Sequence, residues 1–212
     1  MYLNRKTAAN NSLLPSMRTS SNPELPGRIG HPSMNENSLE ARLRSAIRDI
    51  PDFPQPGILF RDITPVLQDP AMCKEIVESL ANEFLNEQID GIVGVESRGF
   101  LFGMMLAGRM KVPFIPVRKK GKLPFKTLMF EYKLEYGSAI VEIHEDAIKP
   151  GSRLLIHDDL LATGGTASAA AELITMLGGN VAGFAFLISL DFLNGKSLLQ
   201  KYSNRIFTLV NY

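Results

Sequence analysis

The chain has 212 residues, which is a typical length for one α/β domain and short for two. Hydrophobic residues make up 45% and charged residues 21%, and a formal net charge of +1 gives no global field that would draw the chain to nucleic acid or to a membrane. The single cysteine, Cys73, excludes an internal disulfide and fits a reducing compartment, so we expect a cytoplasmic protein. No apolar run approaches the ~20 residues of a membrane span.

Residues 1–37 differ in composition from the rest of the chain. Asn, Ser and Pro dominate there, and the large apolar residues follow no period. Such a segment cannot bury enough surface to offset its ordering entropy, so we predict a disordered extension before a single domain over residues 38–212. Because basic residues outnumber acidic ones in the extension, organelle targeting is an alternative role, although no convincing amphipathic helix is present.

Helical and strand patterns alternate through the remaining sequence. Ser38 is a candidate N-cap for a helix from Leu39 to about Ile50, which Pro51 ends, and Asp69 and Pro70 are the N-cap and first residue of the next helix. Further helices are predicted at residues 101–110 and 167–177, and strands at residues 89–95, 112–117, 128–133, 139–144, 154–157, 181–190 and 206–210. This alternation predicts an α/β fold with an open, doubly wound, mostly parallel sheet and helices on both faces.

The most informative stretch covers residues 154–166, where a buried strand is followed by two acids, a glycine loop and a helix. Free backbone N–H groups at a helix N-terminus form an anion site. Asp158 and Asp159 would repel a phosphate, so they suit sugar hydroxyls or a metal. The implied ligand is a ribose 5-phosphate. The spacing matches neither a Walker A loop nor a dinucleotide fingerprint, and a plain turn would need neither the acids nor the two threonines.

This stretch resembles the phosphoribosyl-pyrophosphate (PRPP) motif of type I phosphoribosyltransferases, and adenine phosphoribosyltransferases in particular. Four more segments match that family in order, at residues 53–62, 96–100, 118–124 and 134–137, and the resemblance covers about residues 39–212. It implies a small N-terminal hood at about residues 38–66 and a lid loop at about residues 119–140, which includes a hairpin. Residues 118–124 contain four cations close to one glycine, and we call this segment the basic loop.

The resemblance implies that the protein transfers the phosphoribosyl group of PRPP to adenine, forming AMP and pyrophosphate. It also implies Mg²⁺, held mainly through substrate oxygens and water, and a homodimer, because the family's basic loop can reach the neighbouring subunit's site. No nucleic-acid or membrane partner is expected.

Site roles follow from the same resemblance. The ribose and 5′-phosphate are assigned to Asp158, Asp159, Ala162, Thr163, Gly164, Gly165 and Thr166. Adenine is assigned to the ring of Phe60, the backbone of Leu59 and Arg61, and Arg98. Pyrophosphate is assigned to Glu96, Ser97, Arg98, Arg118, Lys119 and Lys122. Glu135 and Arg98 are the expected catalytic residues, with Glu135 against N7 of adenine, where it manages the proton of the base.

Two other functions stay open at this point. A phosphoribosyltransferase for another base is disfavoured by Phe60 and Arg61 and by the segment at residues 134–137. A regulator that binds PRPP without turnover is disfavoured by Glu135 and the basic loop. His157 departs from the family pattern, which has an aliphatic residue there. It is either a buried histidine with satisfied nitrogens or a group that biases Asp158 electrostatically.

Overall fold

The structure is a computed structural model that describes residues 37–133 and 137–212. The predicted extension therefore lies outside the described residues except for Asn37, and so does the hairpin tip, residues 134–136. In chain order, the elements within the described ranges are α1 (Leu39–Ala46), β1 (Arg48–Pro51), β2 (Leu59–Asp62), α2 (Thr64–Leu67), α3 (Pro70–Glu83), β3 (Gly91–Val95), α4 (Gly99–Met110), β4 (Phe114–Lys119), β5 (Thr127–Lys133), β6 (Ser138–His144), β7 (Arg153–Leu161), α5 (Gly165–Met176), β8 (Asn180–Ser189), a 3₁₀ turn (Asp191–Leu193), α6 (Gly195–Leu199) and β9 (Ile206–Asn211).

Seven of the described strands form one sheet in the order β5-β6-β4-β3-β7-β8-β9. The strands from β4 to β9 in that order pair in parallel, whereas β6 pairs antiparallel with both β4 and β5. The hairpin β5–β6 thus extends the edge of the main sheet. The predicted mostly parallel sheet is confirmed.

The two faces of the sheet carry separate hydrophobic cores. Successive side chains of a strand point to opposite faces, so Leu155 packs into the core that includes α3 and α4, while Ile156 packs into the core that includes α5. Helices therefore cover both faces, as the alternating pattern predicts. Strands buried on both sides account for the continuous apolar runs in β3 and β8.

Tertiary pairing changes several boundaries. Helix α1 ends at Ala46, not near Ile50, because residues 48–51 pair with β2 to form a separate two-stranded sheet. Strand β7 continues through the two acids to Leu161, because β8 pairs with it along that whole length. The sequence patterns also missed the short helices α2 and α6. None of the helices in the described ranges is long and apolar enough to cross a membrane.

Candidate active site

A polar cleft opens where parallel strands end at the same edge of the sheet. Strand β3 lies between β4 and β7, so the residues after Val95 meet those at the ends of both neighbours. The cleft has a volume of about 250 Å³ and is lined by Glu96, Ser97, Arg98, Lys119, Asp158 and Asp159. Ligands of open α/β sheets bind at such carboxyl ends. The structure therefore brings together residues from three separate sequence motifs.

A second, smaller cavity of about 70 Å³ shares Asp158 with the cleft and is lined by the loop that joins β7 to α5. We call residues 162–166 the phosphate loop. Gly164 has a φ of +82°, a left-handed conformation that glycine adopts without strain, and α5 begins at the next residue. The N–H groups in the first turn of a helix have no acceptor within that helix. They are therefore available to an anion at this end of α5.

The phosphate loop packs closely against the start of α6. A Cβ atom added to Gly195 would lie 2.2 Å from the carbonyl oxygen of Ala162, and one added to Gly164 would lie 2.7 Å from the carbonyl oxygen of Gly195. Both positions therefore require glycine for this close approach. Sequence reasoning missed Gly195, although the Asn194-Gly195 pair is a turn signal.

Tyr132, in strand β5, contacts the phosphate loop from the hairpin side. Its hydroxyl oxygen lies 3.1 Å from the hydroxyl oxygen of Thr166, at hydrogen-bonding distance. Its ring is also the nearest group to a Cβ atom added at Gly165, at 3.5 Å. The sequence offered no signal for this contact beyond an aromatic residue in a strand. Its partner is 34 residues further along the chain.

The acidic pair is largely buried. Asp159 is only 2% exposed, and one carboxylate oxygen of Asp158 accepts the N–H of Asp159 at 2.9 Å. Burial raises the pKa of Asp158 well above its ordinary value, and the charge of Asp159 adds to this. Burial also raises the pKa of Asp159, although the charge of Arg98 opposes the effect. The pair therefore holds a proton at higher pH than an ordinary aspartate does.

Arg98 lies between the acidic pair and the hood. Its Nε is 3.0 Å from Oδ2 of Asp159, and its guanidinium carbon is 5.0 Å from the ring centre of Phe60. The contact with Asp159 lacks hydrogen-bond alignment, so Oδ2 is a buried acceptor without a hydrogen-bond partner in the described chain. A donor hydroxyl of a ligand would satisfy that oxygen.

The predicted hood contains the two-stranded sheet β1–β2, and β2 carries the three residues predicted to contact a base. Phe60 also packs edge-on against Phe53, with ring centres 5.1 Å apart. Leu59 is exposed at the start of β2. The side chain of Arg61 pairs with Asp49 and lies over the ring of Tyr212, with its guanidinium carbon 3.7 Å from the ring centre. The side chain of Arg61 is therefore already occupied by these two contacts.

The basic loop is tied to the end of β3 by Glu96. The two carboxylate oxygens of Glu96 accept from Arg118 at 3.1 and 3.3 Å, and Oε2 also accepts the N–H of Lys119 at 2.9 Å. Burial raises the pKa of Glu96, but Arg118 and the N–H of Lys119 outweigh this and leave that pKa below its ordinary value. Arg118 is thus already paired with a carboxylate. Lys119 lines the cleft, whereas Lys122 is exposed and does not belong to its lining.

Glu135, one of the two predicted catalytic residues, lies outside the described residues.

His157 is fully buried, and neither ring nitrogen has a hydrogen-bond partner in the described chain. Burial lowers the pKa of His157 to about 4, with an opposing contribution from the backbone of Ala185. The ring is buried, as one of the two alternatives predicts, and a neutral ring cannot bias Asp158 by its charge at neutral pH.

The residues of the cleft could assist a cation that a ligand carries. In residues 37–133 and 137–212, no group of three or more His, Cys, Asp or Glu side chains is arranged to hold a metal ion. The carboxylates at the cleft are hard oxygen donors, and Mg²⁺ commonly keeps its waters while binding substrate phosphates. The donor set therefore fits a metal that arrives with a phosphorylated ligand.

Comparison with known proteins agrees with this geometry. The family described as phosphoribosyl transferase domain matches residues 63–211. The chain is 51% identical over 178 residues to the adenine phosphoribosyltransferase of Cytophaga hutchinsonii, a match that covers 84% of this chain and 98% of the relative. It is 49% identical over 193 residues to that of Sorangium cellulosum, covering 90% and 96%.

Solved structures of the same kind share the fold. The adenine phosphoribosyltransferase of Thermoanaerobacter pseudethanolicus superposes with a TM-score of 0.79 at 49% identity, over 82% of this chain and 100% of that one. The enzyme of Saccharomyces cerevisiae, solved with an imino-altritol bisphosphate and adenine, superposes with a TM-score of 0.75 at 43% identity, over 81% and 98%.

Proposed function

Because the chain belongs to the adenine phosphoribosyltransferase family, we propose that it transfers the phosphoribosyl group of PRPP to adenine, forming AMP and pyrophosphate in purine salvage. One observation of the site carries this proposal. The guanidinium of Arg98 contacts both the ring of Phe60 and the carboxylate of Asp159. A flat face suited to a base and acids suited to a ribose thus flank the same arginine.

The ribose 5-phosphate half of PRPP would occupy the phosphate loop and the acidic pair. The backbone N–H groups at the start of α5 and the hydroxyls of Thr163 and Thr166 would bind the 5′-phosphate. Asp158 and Asp159 would accept hydrogen bonds from the ribose hydroxyls. Their negative charge would also stabilise the positive charge that develops on the sugar as the bond at its anomeric carbon weakens.

The base would lie against Phe60 in the hood. Backbone donors and acceptors of Leu59 and Arg61 can distinguish the exocyclic amine of adenine from the carbonyl of hypoxanthine or guanine. A site built on such hydrogen bonds rejects the wrong base, because its buried polar groups are then left unpaired. The yeast relative solved with adenine bound supports this choice of base.

The leaving pyrophosphate would lie in the cleft beside Ser97, Arg98 and Lys119, with Lys122 and Arg118 nearby in the basic loop. The bond between C1′ and the pyrophosphate oxygen breaks, and a bond from C1′ to a ring nitrogen of adenine forms. Adenine loses one proton in this exchange, and we assign its acceptance to Glu135 on the strength of the sequence motif. Mg²⁺, when bound through substrate oxygens and water, would neutralise charge on the departing group.

We also propose a homodimer. Leu101, Met104 and Met105 are exposed on α4, the helix that follows the Ser97-Arg98 loop, and Met104 is 60% exposed. Large exposed apolar residues that cluster on one helix favour burial against a partner. We further propose that the protein is a cytoplasmic enzyme. Its domain comprises residues 38–212, and residues 1–37 form an extension to that domain.

Incubation of the full chain with PRPP and Mg²⁺ plus adenine, hypoxanthine, guanine or orotate tests this function. We expect AMP and pyrophosphate from adenine and little product from the other bases. Efficient turnover of another base would reassign the substrate. PRPP binding with no product from any base would identify a regulator instead of an enzyme.

A further inference from the structure

Glu142, in strand β6, is a buried carboxylate that none of the roles above uses. Glu142 is 1% exposed, and the residues on either side of it in the strand, Val141 and Ile143, are apolar. In the sheet register it lies opposite Arg118, at the start of the basic loop. A charged side chain this deeply buried is costly unless it is fully hydrogen-bonded, so its partners indicate why it is there.

The partners of Glu142 are the backbone groups of the basic loop. Its Oε1 accepts the N–H of Lys122 and the N–H of Leu123, each at 2.8 Å, and its Oε2 accepts the hydroxyl of Thr127 at 3.4 Å. Burial alone raises the pKa of Glu142, but the N–H groups of Leu123, Gly121 and Lys122 outweigh it and leave that pKa below its ordinary value. The carboxylate is thus ionised and held by the loop it organises.

Glu96 holds the same loop from the other side, through the side chain of Arg118 and the N–H of Lys119. Arg118 then closes the loop on itself by donating to the carbonyl oxygen of Lys122 at 2.9 Å. The backbone is therefore fixed by two carboxylates, while the side chains of Lys119 and Lys122 stay exposed. Cations on a preformed loop bind an anion without the cost of ordering the backbone at that moment.

We propose that Glu142 is a positioning residue that sets the shape of the basic loop and thereby the affinity for the pyrophosphate group. This inference rests on the proposed function, because it assumes that pyrophosphate binds at this loop. Glu142 is not expected to touch substrate. Removal of its carboxylate should weaken the binding of ligands that carry a pyrophosphate. It should not change the binding of ligands that contact only the phosphate loop and the hood.

Two variants of Glu142 distinguish loss of the hydrogen-bond acceptors from loss of the negative charge alone. In Glu142→Gln, the amide oxygen can still accept from Lys122 and Leu123, and the hydroxyl of Thr127 can accept from the amide N–H₂. In Glu142→Ala, two N–H groups lose their acceptor. Asp90→Ala is the control for an exposed carboxylate, because Asp90 also accepts a backbone N–H, from Arg153 at 2.8 Å, but at the amino ends of β3 and β7.

Binding of Mg²⁺-pyrophosphate, PRPP and AMP to the full-length protein should be measured by calorimetry, with urea unfolding of each variant alongside. We expect Glu142→Ala to lower the affinity for pyrophosphate and PRPP by at least about tenfold and the affinity for AMP by less than about twofold. Glu142→Gln should recover most of that loss, and Asp90→Ala should change none of the three. Trypsin should also cut the basic loop of Glu142→Ala faster than that of the wild type.

Equal weakening of AMP and pyrophosphate would overturn the proposal, because it would mean a general structural defect. Unchanged pyrophosphate affinity in a folded Glu142→Ala protein would overturn it as well. If the wild type formed no AMP from adenine and PRPP, the proposed function itself would fail, and that result is separate from either outcome for Glu142.

Discussion

The hydroxyl oxygen of Tyr132 lies 3.1 Å from the hydroxyl oxygen of Thr166, which joins the hairpin β5–β6 to the phosphate loop. A 5′-phosphate held by Thr166 would therefore lie near a phenol group of the strand that leads into residues 134–136. We therefore expect that binding of the phosphate and placement of the hairpin are coupled through Tyr132.

We predict that Tyr132→Phe raises the KM for PRPP by about threefold to tenfold, because one hydrogen bond of about 1 kcal/mol is lost. Steady-state kinetics with PRPP as the varied substrate measure this. Tyr202→Phe is the control, since its hydroxyl pairs with Ser168 and Glu172 on the same helix, neither of which belongs to the phosphate loop. Equal effects of the two variants would argue against a role for the Tyr132–Thr166 contact.

Arg98 should not tolerate replacement by lysine. Its guanidinium reaches both Phe60 and Asp159, and a lysine ammonium is a point charge without the planar fork that permits this. We expect Arg98→Lys to lower kcat/KM by roughly 30-fold or more, which corresponds to about 2 kcal/mol. Arg109→Lys, near the end of α4 and paired with Glu78 at 2.7 Å, should have almost no effect. Activity of Arg98→Lys close to that of the wild type would contradict this role.

Binding of PRPP should release a proton from the acidic pair. Burial raises the pKa values of Asp158 and Asp159, so the free protein keeps a proton on the pair at a pH where an exposed aspartate is ionised. Ribose hydroxyls donate to ionised carboxylates and favour that form. The affinity for PRPP should therefore increase as pH rises through the raised pKa and then level off.

Calorimetry in buffers of different ionisation enthalpy measures the protons released. PRPP titrates its own phosphates, so the informative quantity is the difference between the wild type and Asp159→Asn, in which the pair has lost one acid. We expect fewer protons released by the variant. Identical proton release by the two proteins would mean that the pair is already ionised before PRPP binds.

His157 should make the protein sensitive to acid. Its pKa is lowered to about 4 by burial, whereas a histidine in the unfolded chain titrates at about 6.5. Between these values the unfolded state binds more protons, so the free energy of unfolding should fall as pH drops from about 6.5 to about 4, by up to about 3 kcal/mol. In His157→Val this loss should be smaller. Urea unfolding across that pH range would refute the prediction if the curves of the two proteins ran parallel.

The exposed face of α4 should mediate self-association. We predict that Met104→Glu shifts the protein from dimer to monomer in light-scattering chromatography, because a buried unpaired carboxylate is costly at an apolar interface. Met176→Glu is the control, since Met176 is similarly exposed, at 53%, on α5. A dimer that survives Met104→Glu would place the interface elsewhere, and a monomeric wild type would reject the homodimer.

Local sequence patterns were enough for much of the fold. The N-cap Asp69 with Pro70 starts α3 as predicted, and Gly164 marks the turn into α5. These features depend on interactions within a few residues, which a linear sequence displays directly. The same holds for the order of strands and helices, because the apolar runs of parallel strands and the spacing of helical faces are local properties.

The sequence by itself therefore determined the alternating α/β architecture, the phosphate loop and the family resemblance. Only the tertiary structure decided that residues 48–51 leave the helix for β1, that Arg118 pairs with Glu96, and that Tyr132 and Glu142 contact the phosphate loop and the basic loop. Each of these depends on partners between 8 and 34 residues away. Contacts at such separations depend on how the strands are arranged in the sheet. The residue types in one segment do not determine which distant segment will pack beside it.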